Sequence, residues 1–275
     1  MHKNNLYADL LKYMDLSDTL KKLKNNEITL EEAEKQLRIT NFETLSDIAK
    51  VDTHRAKRTG IPEAIIADCK TCDEVVSIAQ VHLKNEGRVI VTRASDEKYL
   101  ALESLAKEMK LLIRSSRRAG VISIGEPVDK TGGRVGIVSA GTADIPVAEE
   151  ARIIAEEMGC SVTAIYDVGV AGIHRLFPEL TRLIVTGVDA IVVAAGREGT
   201  LPAIVSGLVD VPVIGVPVST GYGAGGEGKA ALLSMLQSCS VLTVVNIDAG
   251  FVAGAFAARI ANLAAKNRNK IEKSA

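Results

Sequence analysis

The chain has 275 residues, 47% of them hydrophobic, and its 33 basic and 34 acidic residues nearly balance. That balance gives no electrostatic case for a nucleic-acid partner, and no run reaches the roughly 18–20 apolar residues of a membrane span. The N-terminal residues carry charges throughout and lack the apolar core of a signal peptide, so we expect a cytoplasmic protein with no membrane partner.

The first 40 residues or so are predicted to form two helices. Leu6, Leu10 and Met14 recur at helical spacing in the first of them. Thr29 and Glu32 have the spacing of a capping box, which places the start of the second helix there. We expect this charged segment to pack on the body of the protein or on another subunit.

The next part of the chain, residues 41–125, is predicted to be a small α/β region. The predicted helices are 74–87 and 97–110, and the predicted strands are 88–94 and 119–125. Proline, glycine and charge occur together in residues 126–133, which indicates a domain boundary. The expected domains are therefore 1–127 and 134–266.

From Arg134 onward the sequence alternates regularly between strand-like and helical patterns. Apolar strand-like runs occupy 134–140, 161–169, 189–196, 211–218 and 241–248. Helical patterns occupy 145–159, 173–184, 201–208, 229–239 and 251–266. Five such units in about 130 residues predict an α/β fold with a doubly wound parallel sheet, whose helices cover both faces of the apolar strands.

The candidate ligand site lies where these strands end, because ligands bind beyond the carboxyl ends of the strands in an open parallel sheet. Four of the turns there contain glycine, and Arg, Glu, Asp and His occur among them. Free amides at the start of the helix after the first strand could hold a phosphate, so we expect a nucleotide as the small-molecule substrate. The residues expected to bind it are Ser139, Gly141, Thr142, Asp144, Asp167, Gly169, His174, Arg175, Gly196, Arg197, Gly199, Ser219, Gly221, Tyr222 and Asp248.

Some of these residues have a purely structural alternative. His174 could cap a helix, and Asp167 and Asp248 could satisfy local amides at the strand ends. The turns match neither a Walker nor a GxGxxG pattern, which disfavours simple ATP hydrolysis and Rossmann dehydrogenase chemistry. Cys69 and Cys72 form a C-x-x-C, but no second pair completes a four-cysteine zinc site, so we interpret the pair as incidental.

Taken together, the turn motifs resemble the LarB family, whose members begin synthesis of the nickel-pincer nucleotide cofactor and are related to the aminoimidazole ribonucleotide carboxylase-mutases. The motifs are VSAGTADIPVAEEA, DVGVAGIHRL, AGREGTLPAIVSGL, VPVSTGYG and the combination of MLQSC with VVNIDAGF. The segment DTHRAKRTGIPE in the N-terminal part is also similar to that family, so the resemblance spans most of the chain. It implies a flavodoxin-like, PurE-like C-terminal domain and a smaller α/β N-terminal domain preceded by helices.

The resemblance also implies a reaction. Nicotinic acid adenine dinucleotide would be carboxylated on its pyridinium ring, with carbon dioxide or bicarbonate as co-substrate, and its phosphoanhydride would be hydrolysed to release AMP. The family uses a cysteine that adds to the ring and a glutamate that transfers the proton, and the matching positions are Cys239 and Glu198. Thiolate addition would turn an inert pyridinium into an enamine able to attack carbon dioxide. A magnesium ion held partly by the substrate could assist the hydrolysis.

This sequence departs from both related patterns. The carboxylase-mutases carry a histidine where this chain has Thr200 and a Met-Pro pair where it has Ser238-Cys239, which argues against ordinary purine chemistry. LarB sequences commonly have Met where this chain has Arg197 and Asn where it has Ala249, so a divergent branch with another nucleotide substrate is a further alternative. The alternatives are an aminoimidazole ribonucleotide mutase-like enzyme and a regulatory nucleotide-binding protein that has lost turnover.

Cys239 has an unusual predicted position for a nucleophile. It should end a helix and precede a strand, at the edge of the sheet opposite the crevice, where a helix carboxyl terminus disfavours a thiolate. The alternative is a small apolar residue that closes the helix. Because a neighbouring subunit completes the site in the related mutases, we expect a homo-oligomer with shared active sites in which Cys239 reaches across an interface. Arg197 or the bound pyridinium could stabilise the thiolate there.

Overall fold

The computed structural model of the chain describes residues 16–37, 43–45, 49–51 and 55–274. The strands are β1 (Glu43–Leu45), β2 (Ala49–Val51), β3 (Ala64–Ile66), β4 (Arg88–Thr92), β5 (Ile113–Ser116), β6 (Val121–Gly125), β7 (Arg134–Ser139), β8 (Ser161–Ile165), β9 (Ala190–Ala195), β10 (Val213–Pro217) and β11 (Thr243–Val244). The α-helices are α1 (Leu16–Lys24), α2 (Leu30–Leu37), α3 (Arg55–Thr59), α4 (Cys72–Glu86), α5 (Asp96–Glu108), α6 (Ile145–Glu157), α7 (Leu176–Thr186), α8 (Leu201–Ser206), α9 (Lys229–Leu236) and α10 (Gly250–Ser274). Short 3-10 helices occupy Arg117–Ala119, Thr142–Asp144 and Val170–Arg175.

The C-terminal part of the chain forms a five-stranded parallel sheet in the order β11-β10-β9-β7-β8. The predicted α/β fold with a doubly wound sheet is confirmed, and the order is that of flavodoxin-like proteins. Helices α6 and α10 cover one face, whereas α7, α8 and α9 cover the other. The order reverses between β7 and β9, so the turns after these two strands flank the crevice in which such sheets bind ligands.

Small residues allow α6 and α10 to approach each other closely on their face of the sheet. At Gly254 of α10, a Cβ atom would lie only 2.4 Å from the carbonyl oxygen of Ala151 in α6. Only glycine fits there, because the obstructing atoms belong to the backbone and cannot move aside. This seam fixes the position of α6, whose first turn leads out of the crevice.

The N-terminal part forms a four-stranded sheet in the order β3-β4-β6-β5. Strands β3 and β4 are parallel, and the remaining pairs are antiparallel. Helices α4 and α5 cover one face. The other face packs on α6, and Ile90 of β4 belongs to the same buried cluster as the core of the large sheet. Helix α6 is thus enclosed between the two sheets.

A buried ion cluster joins the two sheets at the end of α6. Glu157 is 2% exposed. It accepts hydrogen bonds from Arg88 of β4 at 2.5 Å and from Arg114 of β5 at 2.6 Å. Two guanidinium groups therefore compensate one buried carboxylate, which fastens the small sheet to the large one.

Most element boundaries agree with the sequence patterns. Helix α4 begins with a capping box of Thr71 and Glu74 and ends at Gly87, which has a φ of 68°. The capping box of Thr29 and Glu32 is also present, at the start of α2. The first predicted helix, with Leu6, Leu10 and Met14, lies outside the described residues.

The structure differs from the sequence-based prediction in a few short strands and in the length of the last helix. Strands β3 and β5 have three and four residues and were not predicted. Strand β11 is limited to Thr243–Val244, whereas an eight-residue run was expected. Helix α10 continues beyond the predicted end to Ser274. Within the described ranges, none of the helices combines the length and apolar character needed to cross a membrane.

Candidate functional site

A cavity of about 630 Å³ opens at the carboxyl-terminal edge of the large sheet, over the point where the strand order reverses. Its walls are the turns that follow β7, β8, β9 and β10. The predicted site residues that line it are Gly141, Thr142, Asp144, Asp167, Gly169, Arg175, Gly196, Arg197, Glu198 and Tyr222. The lining residues that were not predicted are Ala140, Ala143, Val170, Ala171, Ala195, Thr200, Leu201 and Thr220.

Asp144 holds the walls of the cavity together. Its carboxylate accepts the N–H of Gly141 at 2.8 Å and that of Gly196 at 3.0 Å, and the hydroxyl of Thr220 donates to it at 3.2 Å. Burial raises the pKa of this carboxyl group, while the hydrogen bonds from Gly141, Thr220 and Gly196 act in the opposite direction. The side chain that was expected to bind the ligand thus ties three turns to each other.

The turn after β7 leaves backbone donors free for a ligand. Among the described residues, no acceptor is found for the N–H groups of Thr142 and Ala143, both of which line the cavity. The 3-10 turn that contains them leads directly into α6. Free amides at a helix start favour an anion, so this turn is the position in the cavity that best fits a phosphate.

The turn after β8 supplies an ion pair. Arg175 donates to the carboxylate of Asp167 at 2.7 Å, and both side chains line the cavity. The backbone of Asp167 has a φ of 59°, and its N–H donates to the hydroxyl of Ser139 at 3.2 Å. Ser139 is fully buried, so it supports Asp167 from below and does not reach the cavity.

The turn after β9 carries two charged side chains, neither of which has a charged partner in the described part of the chain. The Arg197 guanidinium lies 4.0 Å from the ring centroid of Tyr222 and donates to its hydroxyl at 2.7 Å. Glu198 is exposed and has no hydrogen-bond or ion-pair partner among the described residues. Arg197 has a φ of 51°, and such strained backbone is concentrated at functional sites. Glu198 is therefore the carboxylate in the cavity that remains available for a ligand.

The other predicted residues lie beside or behind the cavity wall. Gly199 is buried against the backbone of α9. His174 is exposed outside the cavity. The carboxylate of Asp248 accepts the N–H of Ser219 at 2.9 Å, which joins the turns after β10 and β11. Gly221 packs against the backbone of Arg197.

Cys239 lies at the other edge of the large sheet, as the sequence predicts. It follows α9 and precedes β11, and it is exposed. The five residues of β10 separate this edge from the cavity, which at ~3.3 Å per residue corresponds to about 15 Å. The cavity of the same chain is therefore out of reach of Cys239. Three apolar side chains on the same segment of the chain are also exposed, namely Leu233, Leu236 and Val241.

Two arginines from the small sheet touch the turns of the site. Arg118, between β5 and β6, donates to the carbonyl oxygen of Thr142. Arg93, which follows β4, donates to the carbonyl oxygen of Asp248 at 3.1 Å and pairs with Asp68 at 3.3 Å. No sequence pattern distinguishes these arginines from other exposed cations, and they were not predicted.

The donor set of the cavity would hold a metal only with help from a ligand. No group of three or more His, Cys, Asp and Glu side chains in the described part of the chain could bind a metal ion. Asp144 is occupied by N–H and hydroxyl donors, and Asp167 is paired with Arg175. Glu198 is left, so a magnesium ion in this cavity would depend on phosphate oxygens as ligands.

Known proteins resemble both parts of the chain. A family model described as AIR carboxylase matches residues 134–274, and one described as LarB/PurE-like N-terminal domain matches residues 42–124. An uncharacterised protein of Methanocaldococcus jannaschii is 42% identical over 253 residues, which are 90% of this chain and 98% of that protein. An N5-carboxyaminoimidazole ribonucleotide mutase of Thermotoga maritima is 32% identical over 131 residues, or 46% of this chain and 74% of the mutase. The mutase of Pyrococcus horikoshii is 31% identical over 117 residues, or 41% of this chain and 62% of the mutase.

Proposed function

The chain belongs to the AIR carboxylase family and carries a LarB/PurE-like N-terminal domain, and from this premise we propose that it carboxylates the pyridinium ring of nicotinic acid adenine dinucleotide. The family makes it an enzyme of the carboxylase/mutase kind. The proposed reaction continues with hydrolysis of the phosphoanhydride, which releases AMP and a pyridinium-biscarboxylic acid mononucleotide. Such a product is an early intermediate of the nickel-pincer cofactor.

The main support for this proposal is that the carboxylate of Glu198 is not engaged by another described residue. It is an exposed carboxylate without a partner among the described residues, in a cavity whose other acidic side chains are engaged. Proton abstraction from a carbon atom of the substrate needs such an unoccupied base. A phosphate held by the free amides of Thr142 and Ala143 would place the rest of the nucleotide along the cavity toward Glu198.

The chemistry follows from the electronic character of the ring. The thiolate of Cys239 forms a C–S bond with the pyridinium, and the displaced electron pair moves to the ring nitrogen. The resulting enamine carbon attacks carbon dioxide and forms a C–C bond. Glu198 takes the proton from that carbon, and cleavage of the C–S bond restores aromaticity. The thiolate is regenerated, so no oxidant or reductant is consumed.

In this proposal, Cys239 comes from a neighbouring subunit. The cavity of the same chain lies at the opposite edge of the sheet from Cys239. Because Cys239 is exposed, it could instead contact the cavity of a second copy of the chain. In this arrangement the neighbouring subunit would also cover the exposed apolar side chains of Leu233, Leu236 and Val241, which belong to the same segment of the chain. Magnesium, when bound by the substrate phosphates, would offset their charge during hydrolysis, with Glu198 as the nearby protein carboxylate.

The test is to incubate the purified full-length protein with nicotinic acid adenine dinucleotide, bicarbonate and magnesium. We expect AMP together with a carboxylated mononucleotide, and incorporation of ¹³C from labelled bicarbonate. Cys239→Ala should abolish the incorporation, and full activity of this variant would eliminate the covalent step. Cys69→Ala is the matched control, because this exposed thiol belongs to the small domain and should be dispensable.

The alternative is a mutase acting on N5-carboxyaminoimidazole ribonucleotide, and it has one observation in its favour. Relatives named for that activity match nearly half of the chain at about a third identity. Against it stands Thr200, which lines the cavity where the mutases carry a histidine. Turnover of this ribonucleotide, without reaction of the dinucleotide, would establish the alternative. Tight nucleotide binding with no product in either assay would indicate a regulatory protein.

A further inference from the structure

We propose that Arg118 of the small sheet is part of the substrate site and binds the adenylate half of a dinucleotide, an inference that rests on the proposed function. This side chain lies outside the part of the chain that matches the AIR carboxylase model, which begins at residue 134. A contact from Arg118 would explain how a cavity that resembles a ribonucleotide site can also bind a dinucleotide.

Arg118 lies at the edge of the cavity. Its Nη2 atom donates to the carbonyl oxygen of Thr142. Thr142 belongs to the turn whose free amides fit a phosphate, so the guanidinium lies at the edge of the cavity beside that phosphate position. Arg118 does not line the interior of the cavity. A group bound there must extend beyond the first phosphate, as the second phosphate of a dinucleotide does.

The side chain of Arg118 has donors left over for an anion. A guanidinium has five N–H donors, and the contact with Thr142 uses one Nη atom. Arg118 is exposed, and no carboxylate within the described ranges pairs with it. Its charge is therefore not neutralised, and its remaining donors can form the forked contact that arginine makes with phosphate.

The turn that carries Arg118 is fixed to its surroundings by several contacts. The N–H of Ala94 donates to the carbonyl oxygen of Gly120 at 2.9 Å, which joins the turn of Arg118 to the turn of Arg93. Arg93 in turn donates to the backbone carbonyl oxygen of Asp248 in the turn after β11. The buried cluster of Glu157 anchors the same small sheet from the other end of α6. A binding group held on such a frame loses little entropy when the ligand arrives.

The residues around Arg118 match a different family model from the residues of the large sheet. The mutase of Thermotoga maritima, named for a ribonucleotide substrate, aligns with 46% of this chain. The separate match to a LarB/PurE-like N-terminal domain covers residues 42–124, which include Arg118. The small sheet thus brings a cation to the mouth of the cavity from a part of the chain that the AIR carboxylase model does not match.

The experiment compares Arg118→Met with Arg117→Met in the full-length protein. Arg117 is in the same turn and is also exposed, but it pairs with Asp96 at 2.9 Å and stacks on Tyr99, away from the cavity. Calorimetric titration with nicotinic acid adenine dinucleotide and with nicotinic acid mononucleotide gives Kd for each variant. We expect Arg118→Met to raise Kd for the dinucleotide about tenfold or more. Its Kd for the mononucleotide and both values of Arg117→Met should stay within about twofold of the wild type.

Two results would overturn the inference. Unchanged binding of the dinucleotide by Arg118→Met means that the guanidinium contributes nothing. An equal loss for both ligands means that it acts on the phosphate that they share, either directly or by positioning the turn of Thr142. Arg118→Lys, which keeps the charge but loses the fork, should give an intermediate Kd for the dinucleotide and guards against misfolding of the first variant. Failure of the wild type to bind the dinucleotide would instead overturn the proposed function, and this inference with it.

Discussion

The carboxylate of Asp144 accepts the backbone N–H of Gly196 at 3.0 Å, so the turn after β7 and the turn that carries Glu198 form one unit. A Cβ at position 196 would lie 2.9 Å from the same carboxylate oxygen, which leaves little space for a side chain there. The phosphate position and the proposed base are thereby held at a constant separation.

Asp144→Asn should break this unit. The asparagine has only one acceptor oxygen, so its N–H₂ group would face at least one of the backbone N–H groups that now donate to the carboxylate. That buried N–H would lose its hydrogen-bond acceptor. We expect a loss of about 1–3 kcal/mol in the free energy of unfolding and at least a tenfold decrease in kcat/KM. Urea titration and steady-state kinetics measure the two effects. The control is Asp210→Asn, in an exposed loop at the opposite edge of the sheet. Wild-type kinetics in Asp144→Asn would refute the proposal that Asp144 holds the turns of the site together.

Mixing two inactive variants tests whether the site is shared between subunits. If Cys239 of one copy serves the cavity of another, hybrids of Cys239→Ala and Glu198→Gln contain some sites with both native residues. Random 1:1 mixing should restore about a quarter of the wild-type activity, since each site draws its two residues independently. The activity is measured after joint refolding, with each variant refolded alone as the control. No recovery in verified hybrids would place both residues in one chain.

Glu157→Ala should strongly weaken the attachment of the small sheet. The substitution leaves the guanidinium groups of Arg88 and Arg114 without their shared carboxylate in a partly buried site. Breaking a buried ion cluster by removal of one partner costs about 3–5 kcal/mol, which urea unfolding would detect. Glu156→Ala is the matched control, because this neighbouring carboxylate is half-buried and pairs with a single cation, Arg152, among the described residues. Its loss should change stability by less than about 1 kcal/mol. Similar values for the two variants would contradict the prediction.

Glu150 on α6 should make stability depend on pH. Burial raises the pKa of its carboxyl group from 4.5 to about 7, and the charges of Asp248 and Asp68 act in the same direction, whereas Arg93 and the N–H of Phe251 lower the pKa. Because the folded state favours the protonated form, this contribution to stability is complete below pH 4.5 and is lost as the pH rises through 7.

Glu150→Gln replaces this acid by a neutral group of the same shape. Relative to the wild type, the variant should gain about 3 kcal/mol of unfolding free energy between pH 4.5 and pH 8. Urea titrations of both proteins at these two pH values measure the difference. Glu149→Gln, a neighbour whose carboxyl pKa is lowered, should not show a gain in this direction. A pH-independent difference between wild type and Glu150→Gln would disprove the assignment.

The position of the cavity could be predicted from the sequence because each strand of the large sheet is an apolar run that ends in a turn rich in glycine and charge. The carboxyl ends of parallel strands share one edge, so Asp167, Arg175, Arg197 and Glu198 were expected together, and all four line the cavity. The separation of Cys239 from them follows from the same rule, because it precedes a strand.

The contacts between turns could not be predicted in this way. Asp144 bonds to Gly196 and Thr220, which are 52 and 76 positions away, and nothing in the local pattern specifies these partners. Its spacing fits a helix cap equally well. The strand β5 has too few residues to show a period, so the turn with Arg118 and its contact to the large sheet remained hidden.

Because α6 and α10 pack so closely, substitutions between them should alter the crevice even though these positions do not contact a ligand. With a methyl group at position 254, the backbones of α6 and α10 would have to separate. Helix α6 would then tilt, and its first turn at the crevice would be displaced. A survey of random inactivating substitutions should therefore find a second group far from the ligand, along the inner side of the C-terminal helix.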